Sequence, residues 1–422
     1  MSGPIDTSTL AREIGALLGA DRLRVPQSNE LRAARLIVEP ASAAEIGDLV
    51  RKCEADRIAM APMGAARTLA QIRPSPVDLG LSLAKMDRVV AYEPDDMTVV
   101  AEAGLTLGAL NRQLAEHGQH LPADPAYPFM TTLGALVAAA TAGPLRLNDG
   151  TVRDLLIGIR FAGHGGRIIH GGGRVVKNVA GYDLMKVMTG SFGTLGVITE
   201  VTFKVRPIPH NYTLMLASFE HAVDAFEAAR RADGAAPLLH LEVISPSFSA
   251  GFEARERFCV FAGFGGSRSE ADAQHARLAE ALGANARVLA GSDAAATYEH
   301  LRDLDYPDAA IVAQIAVLPA ELARCLDACG AEFRAHAASG VAQLFLGPQS
   351  NAGEIRTAVT RWREIAHGAR GNLRLLALRS DDRAGFDFFD LPPPAALALM
   401  SRLKSTFDPQ AIFNPGCFVG GL

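Results

Sequence analysis

The sequence predicts an α+β protein of two domains, and three observations carry that reading. At 422 residues the chain is about twice the length of a typical domain. Residues 35–110 alternate short apolar strands with amphipathic helices, whereas residues 150–206 change to glycine-rich β-structure. Beyond Arg206-Pro207-Ile208-Pro209 the pattern becomes two rough copies of strand–helix–strand, over residues 210–380. Such units build an antiparallel sheet with helices on one face, a ferredoxin-like α+β layer. The expected division is an N-terminal helix at 1–27, a first domain at 28–209, a second at 210–390, and a C-terminal segment at 391–422 that returns to the first.

Taken in order, Ser8 or Thr9 can cap a first helix with Leu10, Ile14, Leu17 and Leu18 inward and Gly19 at its end. Leu36–Val38 is a short strand. Ser42-Ala43-Ala44-Glu45 is a capping box before a helix that aligns Ile46, Leu49, Val50 and Cys53. A strand over Arg57–Ala61 precedes a loop from Pro62 to Thr68. Further strands fall near Val77–Leu83, Arg88–Ala91 and Thr98–Ala101, and Thr106 caps a helix carrying Leu107, Leu110 and Leu114. Leu155–Phe161 and Ile168–Ile169 flank Gly163-His164-Gly165-Gly166 as a hairpin. From Val197 to Val205 apolar residues alternate with more polar ones, so one face of that strand is expected to be wetter. In the second half, strands at Tyr212–Ala217, Leu238–Val243 and Phe258–Ala262 go with a helix from His221. Strands at Ala310–Ala316, Val341–Leu346 and Leu373–Leu378 go with helices from Pro319 and Ala352. A last helix, about Pro394 to Phe407, leads into Asp408-Pro409-Gln410-Ala411-Ile412-Phe413-Asn414-Pro415-Gly416.

About half the residues are apolar, a fifth are charged and the net charge is −5, the balance of an ordinary soluble globular protein. No dense run of Lys or Arg occurs, so nucleic acid is a poor partner. Five scattered cysteines include Cys325 and Cys329 on one helical face. Without a second pair or a nearby His they read as reduced, half-buried thiols rather than a cluster or zinc site, and a reducing cytosol fits. No signal peptide is evident, and the longest nearly uncharged apolar run, Thr131 to Gly143, is too short for a bilayer, which needs about 20 residues.

Three segments hold candidate chemistry. The small residues of Pro62-Met63-Gly64-Ala65-Ala66-Arg67-Thr68 would let backbone N–H groups converge on a pyrophosphate, or simply turn the chain. The run from Thr131 to Gly143 opens on a threonine cap, is almost entirely small, and closes at Gly143-Pro144, as suits a helix pressed against a sheet or against a cofactor. In Gly190-Ser191-Phe192-Gly193-Thr194-Leu195-Gly196 three glycines recur every third residue before a strand, so the chain there wraps closely around a ligand or another backbone. This is not a Rossmann fingerprint, and Gly263-Phe264-Gly265-Gly266 fails that test too and reads as a hairpin or loop.

Pro62-Met63-Gly64, Asp96-Met97-Thr98-Val99, Thr132-Leu133-Gly134, Gly181-Tyr182-Asp183-Leu184 and Gly193-Thr194-Leu195-Gly196-Val197-Ile198-Thr199 come in the order found in FAD-linked oxidases of the vanillyl-alcohol-oxidase or p-cresol-methylhydroxylase type. The terminal Phe413-Asn414-Pro415-Gly416 resembles the tail of members that oxidise 2-hydroxy acids. Within the family, Val175-Val176-Lys177-Asn178-Val179-Ala180-Gly181-Tyr182-Asp183 most resembles the smaller flavin subunits of bacterial glycolate oxidases. The resemblance implies a two-part FAD-binding domain at 28–209, a cap domain at 210–390 and non-covalent FAD. It places the pyrophosphate at Pro62, Met63, Gly64, Ala65 and Ala66. It places adenosine and flavin contacts at Thr132, Leu133, Gly134, Ala142, Gly143, Gly150, Thr151, Gly196, Val197, Ile198 and Asn414. It also implies a homologous larger flavin subunit and an iron–sulfur subunit as partners, with any contact to an inner membrane made through them.

The chain departs from the family in ways that bear on activity. Ala66 stands where many relatives have a second glycine, and no His or Cys in that loop offers a covalent flavin link. Phe192 occupies a position that is usually acidic in catalytic relatives. Gly371-Asn372-Leu373-Arg374 has Arg where a metal-binding histidine is expected, so no metal site is expected. His164 and His170 read as exposed loop residues, while His336, His367 and Arg374 are the second-domain residues that could approach a flavin. The expectation is an FAD-carrying or electron-relaying subunit of a complex that oxidises 2-hydroxy acids, with no catalytic base identified. The alternatives are a stand-alone flavin dehydrogenase of D-2-hydroxy acids and an assembly subunit without cofactor.

Overall fold

The computed structural model describes residues 6–27, 34–64, 77–174, 182–252, 254, 257–283, 285–304, 308–379 and 385–422. Ala65, Ala66, Arg67 and the Val175–Gly181 run lie outside them. The fold is α+β, as predicted. In the first half, Ala34–Val38, Val77–Ser82 and Met60–Met63 form a parallel ladder, and Leu23–Arg24 pairs antiparallel on its outer edge. The helix Ala43–Asp56 is its crossover, capped by Ser42, whose Oγ accepts from Glu45 N at 3.2 Å. A second sheet is antiparallel throughout, in the order Val89–Glu93, Thr98–Glu102, Val197–Lys204, Leu156–Ala162, Ile168–Gly172. One hydrophobic core is shared by these two sheets and the 43–56, 107–115 and 133–139 helices.

The second half is one eight-stranded antiparallel sheet, its strands lying in the order 287–290, 213–219, 258–264, 240–244, 332–336, 341–346, 311–316, 372–378. The two copies of strand–helix–strand therefore join edge to edge through the 240–244 and 332–336 strands. One face packs on helices Ala222–Ala235, Arg268–Leu282, Pro319–Cys329 and Ala352–Gly368 through an apolar core that includes Trp362. The other face is partly covered by the helix Gly291–Arg302.

Several local expectations are corrected. The first helix is capped by Asp6, not by Ser8 or Thr9: its carboxylate reaches Thr9 N and also accepts from the Ser8 hydroxyl. The third strand runs Met60–Met63, because Arg57 ends the preceding helix in a left-handed turn and pushes the strand three residues on; Pro62 and Met63 are thus strand, not loop. The small-residue helix is only Leu133–Ala139, terminated by Ala140 at φ 50°. The Val197–Lys204 strand is buried on both faces because it is the middle of its sheet. Of the two readings of Gly263-Phe264-Gly265-Gly266, the loop holds for Gly265 and Gly266, which join the end of a strand to a helix capped by Ser267. Cys325 and Cys329 are fully buried, not half-buried, since their helix face packs on the sheet. His170 is exposed but lies in a strand. The 268–282 and 291–302 helices and the 287–290 and 332–336 strands escaped the sequence reading altogether.

After the helix Pro394–Phe407 the chain returns to the first half. Phe413 bridges Met60 in parallel, with Met60 N donating to Ile412 O at 2.8 Å and Asn414 N to Met60 O at 2.7 Å. Lys404 is the bolt: its buried Nζ donates to Asp408 Oδ2 at 2.6 Å, Thr194 O at 2.8 Å and Phe413 O at 2.9 Å. Asp408 in turn accepts from Ile412 N and Phe413 N.

Candidate functional site

Between the two halves lies a cleft of about 350 Å³, within the usual range for small-molecule sites, roughly 300–1,000 Å³. Its first wall is built from small residues and backbone. Pro62, Met63 and Gly64 come from the end of a central strand, Thr132, Gly134, Ala135, Ala138, Ala139, Thr141 and Ala142 from the short helix and its exit, and Gly193, Gly196 and Ile198 from the glycine segment. Thr132 caps the helix by accepting from Ala135 N at 3.3 Å. A side chain added at Gly64 would run into Thr132 Oγ1 at 2.6 Å, so this wall has no room to grow except into the cleft. Thr141 Oγ1 is buried in the lining and has no hydrogen-bond partner. A small-residue cradle with an unsatisfied hydroxyl suits a polar, planar group that presses against backbone.

The opposite wall is the large sheet. Arg334, Gln343, Gln314 and Arg374 stand on four adjacent strands and face one another directly in register, Arg334 with Gln343, Gln343 with Gln314, and Gln314 with Arg374. Strands lie about 4.8 Å apart, so the row spans ~14 Å. All four side chains line the cleft. Arg334 Nη1 is occupied by the carbonyls of Leu301, Arg302 and Leu304 at 2.9–3.3 Å, which fixes the end of the 291–302 helix. Arg374 is held differently. No carboxylate of the described residues pairs with it, its Nε has no hydrogen-bond partner, and its guanidinium carbon lies 5.7 Å from the centre of the Phe192 ring. Burial lowers its pKa. Among the described residues lining the cleft there is no His, Asp, Glu or Lys.

A seam of buried polar groups joins the walls beyond the cleft. Asp124, 6% exposed, accepts from the Tyr298 hydroxyl and from Leu145 N at 2.8 Å, and burial pushes its carboxyl up to about 7. Tyr212 and His240 share a hydrogen bond of 2.8 Å, and burial drives the His240 imidazole down to about 3. Glu242 and His336 are paired at 2.7 Å.

Of the residues singled out from the sequence, Pro62, Met63, Gly64, Thr132, Gly134, Ala142, Gly196 and Ile198 meet in this cleft. Leu133 and Val197 point into the core behind it. Gly143 lies against the Asp124 carbonyl, where a side chain would come within 1.9 Å. Gly150 and Thr151 form the turn that opens the Val152–Leu155 helix, with Thr151 in a reciprocal cap with Asp154. Asn414 is fully buried and its Nδ2 donates to the Phe192 carbonyl at 2.6 Å. Arg374 reaches the cleft; His336 is buried against Glu242, and His367 is exposed and paired with Asp390 at 2.9 Å. No cluster able to hold a metal occurs among the described residues. Sequence reasoning missed Gln314, Gln343 and Arg334, and also the Pro125–Tyr127 segment of the rim. No helix among the described residues is long and apolar enough to cross a membrane.

Residues 34–172 match the family described as FAD binding domain, and residues 392–417 match the C-terminal domain of FAD linked oxidases. Glycolate oxidase subunit GlcE of Escherichia coli (strain K12) is 43% identical over 122 residues, 29% of this chain and 35% of that protein. The mitochondrial D-lactate dehydrogenase [cytochrome] of Arabidopsis thaliana is 30% identical over 208 residues, 48% of this chain and 36% of that one. The chain thus matches little more than a third of the length of these curated relatives. Among solved structures, an alkyldihydroxyacetonephosphate synthase superposes with a TM-score of 0.74 at 20% identity, over 98% of this chain and 87% of that one. p-Cresol methylhydroxylase with substrate bound gives 0.69 at 14% identity, over 97% and 96%. At such identities these last two show the fold.

Proposed function

We propose, for a chain that belongs to the FAD-linked oxidases through its FAD binding domain and its C-terminal domain, that it holds FAD in the small-residue wall and takes a small carboxylate against the sheet wall. On this reading it serves as an FAD-carrying or electron-relaying subunit of a glycolate-oxidase-like complex. Bound FAD supplies a two-electron acceptor for a hydride leaving carbon. Pro62, Met63 and Gly64, with Ala65 and Ala66, would hold the pyrophosphate without a covalent link. Thr132, Gly134, Ala142, Gly196 and Ile198 would lie against the ring system, and Thr141 Oγ1 would donate to a flavin polar atom. Leu133, Gly143, Gly150, Thr151, Val197 and Asn414 would act through the backbone they shape. Arg374 would pair with the carboxylate, since a buried guanidinium without a counter-ion is costly to leave alone.

The observation that carries the relaying role is the lining itself: two guanidiniums and two amides, with no His, Asp, Glu or Lys among the described residues to accept the hydroxyl proton. Partners, among them a larger flavin subunit and an iron–sulfur subunit, would then complete the chemistry. The test is the visible spectrum of the purified chain before and after addition of glycolate or D-lactate. The expected result is a yellow protein whose flavin absorbance persists until the partners are added. Bleaching by the chain alone would favour a stand-alone D-2-hydroxy acid dehydrogenase, and a colourless protein that takes up no FAD would favour an assembly subunit.

A further inference from the structure

Phe192 is an odd residue for its place. It lines the cleft at φ 53°, a left-handed conformation that is strained for a residue with a Cβ. Two hydrogen bonds hold it there: Phe192 N donates to Ala138 O at 2.8 Å and Asn414 Nδ2 donates to Phe192 O at 2.6 Å. Asn414 belongs to the C-terminal tail, and the tail is bolted down by Lys404 and Asp408. The strained backbone aims the ring at the sheet wall. There it meets Phe389 edge-on at 5.2 Å and Phe418 at 5.9 Å, and Arg374 lies over its face. Phe389 also bridges the backbone of Arg374. The only charged side chain of the cleft without an ionic or hydrogen-bonded partner among the described residues is therefore set against an aromatic box that belongs partly to the other half of the molecule.

We propose that Phe192, kept in its left-handed conformation by Asn414, is a positioning residue that presents the Arg374 guanidinium to a carboxylate ligand across the cleft. The proposal rests on the carboxylate reading of Arg374 given above. The ring steadies the cation without neutralising it, which a carboxylate at position 192 would do. With the guanidinium carbon 5.7 Å from the ring centre, the ring stabilises the charge without accepting a conventional hydrogen bond, and the N–H donors remain for the ligand. Cation–π contacts strengthen as water is withdrawn, and Arg374 is only partly exposed; its planar guanidinium head meets the ring at a different height from a lysine ammonium.

The test uses the FAD-loaded chain and oxalate as an inert carboxylate probe, with affinity read by titration calorimetry. FAD content and thermal midpoint are recorded for every variant. Unaltered protein should bind oxalate, and Arg374→Gln should abolish binding. Phe192→Leu, which keeps bulk but loses the ring face, should weaken oxalate about tenfold, and Phe192→Tyr should restore affinity to within about twofold. Arg374→Lys, which keeps the charge but not the planar face, should weaken it comparably and reads the same contact should Phe192→Leu fail to fold. Wild-type affinity in Phe192→Leu, or in Arg374→Lys where the former does not fold, overturns the positioning role while the carboxylate reading stands. Oxalate that fails to bind the unaltered chain, or binds Arg374→Gln as tightly, sinks the carboxylate reading and this proposal with it.

Discussion

The two walls of the cleft solve the same problem by opposite means. The first-half wall is made of backbone and of residues with almost no side chain, and it is shaped by what is missing. The sheet wall is made of long polar side chains standing on four adjacent strands, and it is shaped by what projects. The first recognises a ligand by closeness, the second by charge and amide chemistry. Substitution should therefore damage them differently: the small-residue wall and its supports should lose fold and cofactor together, whereas the sheet wall should lose ligand while keeping the fold.

The largest effect should come from the support of the small-residue wall. Lys404 is 9% exposed and Asp408 2%, and removing one partner of a buried pair leaves the other uncompensated at a cost of ~3–5 kcal/mol. Lys404→Met should lower the unfolding free energy from denaturant titration by that amount and reduce FAD content, because Asn414, Phe413 and Thr194 all lose their anchor. A variant with unchanged stability would show that the tail is not part of the wall at all.

The seam between the walls should show itself through pH. The Asp124 carboxyl, pushed up to about 7 by burial and by the charge of Glu242, with the Tyr298 hydroxyl and backbone N–H groups opposing, titrates near 4 in the unfolded chain. The folded protein thus holds a proton that the unfolded chain has released. Its contribution is fully present below about pH 4 and is lost as pH rises through 7, by about 4 kcal/mol. Asp124→Asn should flatten that slope in denaturation curves taken between pH 4 and 8. Equal slopes in the two proteins would remove Asp124 as the seam's titrating group.

The same contrast explains what the sequence revealed. The small-residue wall was legible because its signals are local: Thr132 caps the helix three residues away, and Gly193 and Gly196 take positive φ angles within one short segment. The sheet row was not. Arg334, Gln343, Gln314 and Arg374 become neighbours only through the register of four strands, and one of those strands, Glu332–His336, follows a helix so closely that its five residues carry no period of their own. Asp6 was overlooked as a cap because Ser8 and Thr9 are equally good capping residues by type. The end of the small-residue helix was placed too late because nothing in an alanine run announces that Ala140 turns left-handed.

The smallest effect is the most informative, because its sign separates the walls. Gln314 and Gln343 are half-buried in a sheet whose other cleft residues include Val312 and Phe345, and no side-chain hydrogen bond joins either amide to a described residue. If they serve the fold, changing them should cost stability. If they serve a ligand, they are polar groups held at the protein's expense, and Gln314→Leu or Gln343→Leu should leave the unfolding free energy unchanged or raise it by up to about 1 kcal/mol. The same substitutions should weaken oxalate severalfold, because an amide that would donate to the bound carboxylate becomes a methyl group. Measuring both quantities on one preparation decides the matter. A loss of stability with unaltered oxalate affinity would make the row part of the architecture, and the two walls would then differ in composition but not in purpose.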